Sequence, residues 1–182
     1  MSMTKEEKEI LEKYKDVFDA LEEYDRTGKL RKLNLKTEIA TIAAGCFWHI
    51  EDTYMKTNGV IKTRVGYIGG KAKAPVYRNV CSGKTGHVEA VEITFNPEII
   101  SYNEILNIFW RIHDPTTKDR QGVDFGNQYN SAIFYHNKTQ EQIAIKSKEM
   151  QNNKNIVTKI RKAPKFWEAE VYHQKYYQKN KK

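Results

Sequence analysis

Apolar and polar residues alternate with a helical period at the start of the chain and switch to strands interleaved with helices from about Lys36. Between Thr4 and Tyr24, Leu11, Tyr14, Phe18 and Leu21 recur at helical spacing, and Thr4 with Glu7 makes a capping box. Asp25-Arg26-Thr27-Gly28 stops this segment. The pattern predicts a helical arm over residues 1–36 whose apolar stripe serves packing, with a partner-binding helix as the competing reading.

Past Lys36, Glu38 to Ala44 is strand-like and ends at Gly45, after which Phe47, Ile50, Tyr54 and Met55 follow helical spacing until Asn58-Gly59. Val60 to Ile68 reads as a second strand closed by Gly69-Gly70, and His87 to Phe95 as a third ended by Asn96-Pro97. Ser101-x-x-Glu104 is another capping box, opening a helix that carries Ile105, Leu106, Ile108, Phe109 and Ile112. A long loop with Pro115, Gly122 and Gly126 then runs from His113 to about Asn130; such loops in compact domains are functional or disordered. A strand over Ser131 to His136, a helix over Lys138 to Asn152 and a strand over Ile156 to Ile160 complete the chain. This order predicts an α+β fold, a two-layer ferredoxin-like (split βαβ) plait with a mixed sheet in residues 37–182.

Composition narrows the class. The 182 residues suffice for one core, and apolar runs such as Ile39 to Trp48 are too short to cross a bilayer. The N-terminal residues lack the apolar stretch of a secretory signal, so a cytoplasmic location is expected. Two cysteines without C-x-x-C spacing exclude a disulfide framework and a zinc knuckle, leaving single-thiol chemistry. The net charge of +8 is scattered, with its densest patch at Lys179 to Lys182, which reads as a frayed tail, and no motif accompanies it; nucleic acid is not the expected partner. His87, His113, His136 and His173 lack metal-site spacing and read as structural, and no metal is expected.

The candidate chemistry gathers around one strand end. Cys46 sits where a strand gives way to a helix, a position whose free N–H groups and dipole favour an anion, so a lowered thiol pKa is expected. A buried inert cysteine is the alternative. Phe47 and Trp48 put two aromatics beside the sulfur, an apolar wall suited to a thioether methyl or to ordinary packing. Glu89 shares a strand face with Val91, Ile93 and Phe95; if that face is buried, the carboxyl pKa rises and the group becomes a proton donor near neutrality. Tyr77 and Cys81 stand four residues apart and share a face if their segment is helical, while Asp124, Gln128 and Tyr129 lie among loop glycines that admit a ligand or a structural turn.

Gly45-Cys46-Phe47-Trp48, Gly66 to Gly70, Cys81 to Val91, Phe109 to Thr116, Asp119 to Gly122, Asp124, Gln128-Tyr129 and Ser131 to Tyr135 together resemble the peptide methionine sulfoxide reductase A family over about residues 38–178. The resemblance implies that Cys46 attacks the sulfoxide sulfur, Phe47 and Trp48 hold the methyl group, Glu89, Tyr77 and Tyr129 surround the oxygen, and Asp124 supports that shell. It implies no metal or organic cofactor. The substrates would be oxidised proteins or free methionine sulfoxide, and the reductant thioredoxin, glutaredoxin or a small thiol. Ala74-Pro75-Val76-Tyr77 departs from the usual Asn-Pro-Thr-Tyr, and no cysteine follows Cys81, whereas many relatives carry a resolving cysteine near the C-terminus. A thiol peroxidase, using Cys46 without the aromatic wall, and a basic nucleic-acid-binding module, indifferent to Cys46, are the alternatives.

Overall fold

The computed structural model describes residues 4–28 and 36–180. The chain divides into two compact units, Met1–Leu35 and Lys36–Lys182. In the first, the expected single helix is broken: α1 spans Lys5–Lys13 and α2 spans Lys15–Thr27. Tyr14 makes the joint, its N–H reaching Ile10 O at 3.0 Å while its carbonyl accepts the N–H groups of Val17 and Phe18. The side chains of Glu7 and Leu21, needed for the capping box and the apolar stripe, lie outside the described residues, as do Lys181 and Lys182 of the basic tail. Lys179 belongs to a short helix and donates to Val171 O at 2.9 Å, so the tail is not frayed up to that point.

The second unit has an α+β fold built on a mixed sheet. Its strands are β1 (Glu38–Ala43), β2 (Val60–Ile68), β3 (Val88–Phe95), the hairpin pair β4 (Arg120–Gln121) and β5 (Asp124–Phe125), β6 (Ala132–Tyr135), β7 (Lys159–Lys162) and β8 (Trp167–Glu168). The helices are α3 (Phe47–Met55), α4 (Tyr77–Cys81), α5 (Tyr102–Arg111), α6 (Lys138–Met150) and α7 (Tyr176–Lys179). Six strands form one sheet in the order β7-β6-β1-β3-β2-β8, antiparallel except for β6 with β7. One face carries the main core, where Ile42, Val65, Val91, Ile93 and Ile133 meet Phe47 and Tyr54 of α3, Leu106 and Phe109 of α5 and Ala144 of α6. The other face holds a smaller cluster around Ile68, Ala90 and Phe134. Among the described residues no helix is long and apolar enough to cross a membrane.

Register explains where the chemistry collects. Ile42 pairs with Val91 and Val65 pairs with Val91 from the other side, so continuing two residues along β3 puts Glu89 on the same face, paired with Tyr67 and opposite the turn that follows β1. Capping fixes α5, because Ser101 and Glu104 form the expected reciprocal box. The expected long loop is instead organised: β4 and β5 make a hairpin, Asn127–Tyr129 a 3-10 turn, and Gln121 holds Asp114 through both its amide atoms. The last expected strand is shifted to Lys159–Lys162, since Lys159 to Lys162 align with Ala132 to Tyr135.

Gly45 joins β1 to α3 at φ +96°, and a Cβ there would fall 2.5 Å from Gln121 Cγ. Glycine therefore serves both the left-handed turn and the close seat of the β4–β5 hairpin. Gly45→Ala is expected to lower the unfolding free energy by about 1–3 kcal/mol, measured by denaturant titration; an unchanged midpoint would mean the turn relaxes freely.

Candidate active site

Cys46 is the N-cap of α3, half-buried, with Phe47 and Trp48 as the first two helical residues. The Phe47 N–H, one of the donors a helix start leaves free, reaches Glu89 Oε2 at 3.1 Å. Glu89 is 2 % exposed. Burial pushes its carboxyl up to about 8, the Phe47 N–H opposes that, and the nearby Asp124 charge adds to it. Glu89 thus holds its proton through most of the neutral range, as expected from a buried Val91 face.

The expectation of a lowered thiol pKa is overturned. Burial pushes Cys46 up to about 12, with the carboxylates of Glu89 and Asp124 adding to it. The Trp48 N–H works the other way, yet Cys46 makes no side-chain capping bond, and one helix end does not offset desolvation beside two acids. The resting site holds a thiol next to a carboxylic acid.

Near this pair the structure places several of the residues singled out from the sequence. Tyr77 opens α4 and stands one turn before Cys81 on the same short helix, as the shared face required. Burial raises the Tyr77 phenol, as do the neighbouring Tyr129 and Glu89. Burial takes Tyr129 up to about 12, with Glu89 next in effect, so both phenols stay protonated. Asp124, on β5, bears electrostatically on Cys46, Glu89, Tyr129 and His49. Gln128 is buried one residue before Tyr129. Phe47 is buried in the core, whereas Trp48 packs only against its edge, with ring centroids 6.5 Å apart. Cys81 is exposed.

Several lining residues are not apparent in the sequence. His49, on α3, is held below its usual pKa by burial. Tyr67, paired with Glu89, donates to Glu170 Oε2 at 2.9 Å, and the Tyr77 N–H donates to Glu170 Oε1 at 2.8 Å. His173 packs 4.6 Å from Tyr77 and 5.2 Å from Phe47, and Tyr176 stacks on Trp48 at 3.8 Å. The signal that could have found them is the aromatic and polar cluster Glu170 to Tyr177. His87, His113 and His136 are structural, hydrogen-bonded to Ala72 O, Phe109 O and Thr41 Oγ1 respectively.

A half-buried cysteine at a helix start, a protonated acid beside it and an aromatic wall define a thiol-based redox site. The family model described as peptide methionine sulfoxide reductase matches residues 38–182, and the chain belongs to that family. It is 51% identical over 148 residues to the peptide methionine sulfoxide reductase MsrA of Methanothermobacter thermautotrophicus, covering 79% of this chain and 88% of that protein. Among solved structures it resembles reduced Mxr1 from Saccharomyces cerevisiae, with TM-score 0.76 and 36% identity over 80% of this chain and 86% of that one. It also resembles Mxr1 in complex with Trx2, with TM-score 0.56 and 27% identity over 78% and 85% of the two chains. Neither the peroxidase nor the nucleic-acid alternative is favoured by these matches.

The Glu89 carboxyl yields a pH test. In the unfolded chain it titrates near 4.5, in the fold near 8, so between these values the native state keeps a proton that the unfolded state has lost. Its contribution is fully present below about pH 4.5 and is lost as pH rises through about 8. Relative to Glu89→Gln, the wild type should lose stability steadily across that window in denaturant titrations at stepped pH. A constant difference would show an ordinary carboxylate.

Proposed function

We propose that this chain reduces methionine S-sulfoxide, free or within oxidised proteins, to methionine at Cys46, and that an external thiol restores the enzyme. The observation that carries the reading is the Cys46 thiol at the start of α3 beside a Glu89 carboxyl that burial keeps protonated. The net step converts Cys46–SH and R2S=O to Cys46–SOH and R2S. The sulfoxide sulfur gains two electrons, the Cys46 sulfur gives them, and the thiol proton ends on the sulfenic oxygen. Glu89 lends its proton to the departing oxygen and is reprotonated at the thiol's expense, so a high thiol pKa in the free enzyme is compatible with attack. Tyr77 and Tyr129, both phenols rather than phenolates, donate to the same oxygen, and Asp124 sets the charge around them. Phe47 and Trp48 hold the methyl group.

The sulfenic acid is the first rung of the cysteine oxidation ladder, and one enzyme class serves each sulfoxide epimer. Recycling by thioredoxin, glutaredoxin or a small thiol fits a chain with two cysteines, the second exposed on α4. A cytoplasmic setting suits that cycle, since reducing compartments keep thiols free. The same reading assigns residues 37–182 a split βαβ plait as the catalytic domain, with residues 1–36 as an appended arm. The order β6-β1-β3-β2, with α3 and α5 as the intervening helices, supports the plait.

Purified protein mixed with methionine sulfoxide and dithiothreitol should form methionine, and Cys46→Ser should abolish turnover while remaining folded. Full activity in folded Cys46→Ser would overturn the assignment. Glu89→Gln should slow the single-turnover rate by roughly a hundred- to ten-thousand-fold; an unchanged rate would move the acid role to Tyr77 or Tyr129. After one turnover without reductant, mass spectrometry should find Cys46 as sulfenic acid and Cys81 free. A rapidly formed Cys46–Cys81 disulfide would replace the one-cysteine cycle.

A further inference from the structure

We propose that His173 is a positioning residue: its Nδ1 fixes the Trp48 indole beside the reacting thiol, and it does so only as the neutral imidazole. This deepens the functional reading above and rests on it for the role of Trp48. The Trp48 indole N–H donates to His173 Nδ1 at 3.1 Å. Indole is a donor only, so Nδ1 must present a lone pair and the single proton of the neutral ring sits on Nε2. That Nε2 is buried without a hydrogen-bond partner, and His173 is 2 % exposed. A second proton would land on Nδ1 and set one donor against another. It would also create an imidazolium in a pocket of rings.

The imidazole cannot turn aside to avoid this. It is packed between Phe47, Tyr77 and Tyr172 at 5.2, 4.6 and 4.2 Å. Its backbone N–H donates to Glu170 O at 2.9 Å. The next two residues are tied down as well, because Gln174 bonds both backbone groups of Val65 and the Lys175 N–H donates to Glu51 Oε2. Tyr176 closes over the indole face, with planes 8° apart. A free indole beside Cys46 would swing about two side-chain torsions, whereas here one edge and one face are held.

The titratable groups facing His173 are Tyr77 on α4 and Glu170 and Tyr172 on its own segment, with Glu51 of α3 engaged by Lys175. Burial lowers the imidazole below 6.5, and the Glu170 charge only partly opposes this. Tyr77 and Tyr172 are raised above their usual values and stay neutral in acid. Cys46 and Glu89, pushed up to about 12 and about 8, also keep their protons below pH 6.5. Burial also holds the His49 imidazole of α3 below its ordinary value, so the test must separate it from His173.

The test reads the three tryptophan indole N–H signals by proton–nitrogen NMR, with the Trp48 signal identified by its loss in Trp48→Phe. In the wild type this signal should move to a weaker-hydrogen-bond position as the pH falls below about 6.5, and in His173→Ala it should lie there at every pH. His173→Asn, whose Oδ1 replaces Nδ1, should keep the bonded position with no titration. In kinetics, KM for methionine sulfoxide should rise roughly threefold to tenfold in His173→Ala with kcat little changed, the scale of one buried hydrogen bond. His173→Asn should recover most of that affinity and lose the acid rise in KM. An indole signal indifferent both to pH and to His173→Ala would overturn the proposal, as would an acid rise in KM that persists in His173→Asn and so belongs to His49. If the wild type itself fails to turn over methionine sulfoxide, the functional reading fails while the spectra still decide the His173–Trp48 bond.

Discussion

Everything at this site depends on one buried contact, the Phe47 N–H to Glu89 Oε2 hydrogen bond at 3.1 Å. It ties the first turn of α3 to the end of β3, and so fixes Cys46 against a carboxyl that water does not reach. Because Glu89 is taken out of solvent without a cation to pair with in this contact, its proton is retained rather than its charge. The same desolvation keeps Cys46 a thiol. The result is a neutral pair, a thiol beside a carboxylic acid, in place of a preformed thiolate that would attract water, metal ions and stray oxidants.

The central strands were legible because a half-buried strand repeats every two residues and its ends are marked by glycine or Asn-Pro. β2 matches the expected Val60 to Ile68, and β3 starts one residue later than expected. The capping box at Ser101 was legible for a local reason, since all its partners lie within three residues. The β4–β5 hairpin was not, because two-residue strands leave no period to detect. Nor was the break at Tyr14, where the apolar spacing continues across the joint between α1 and α2.

The site divides the same way. Cys46, Phe47, Trp48 and Glu89 could be singled out because a strand–helix junction and a strand face are local patterns. The sign of the Cys46 shift could not, since desolvation belongs to the packed structure and not to the junction. The C-terminal contribution was hidden for another reason. Glu170, Gln174 and Lys175 are held by bonds to Tyr67, Val65 and Glu51, each more than a hundred residues away. Those bonds bring the far end of the chain over the indole of Trp48, so the aromatic wall is completed by residues whose own segment shows neither strand nor helix periodicity.

The most direct test of this account is the protonation state of Glu89 itself. Carbon NMR of the side-chain carboxyl, assigned by its loss in Glu89→Gln, reports that state without requiring substrate or turnover. A midpoint near pH 8, with the carboxyl neutral at pH 7, is the expected result. A midpoint near 4.5, the ordinary value for a glutamate, would contradict the account, because the acid beside Cys46 would then have no proton to give.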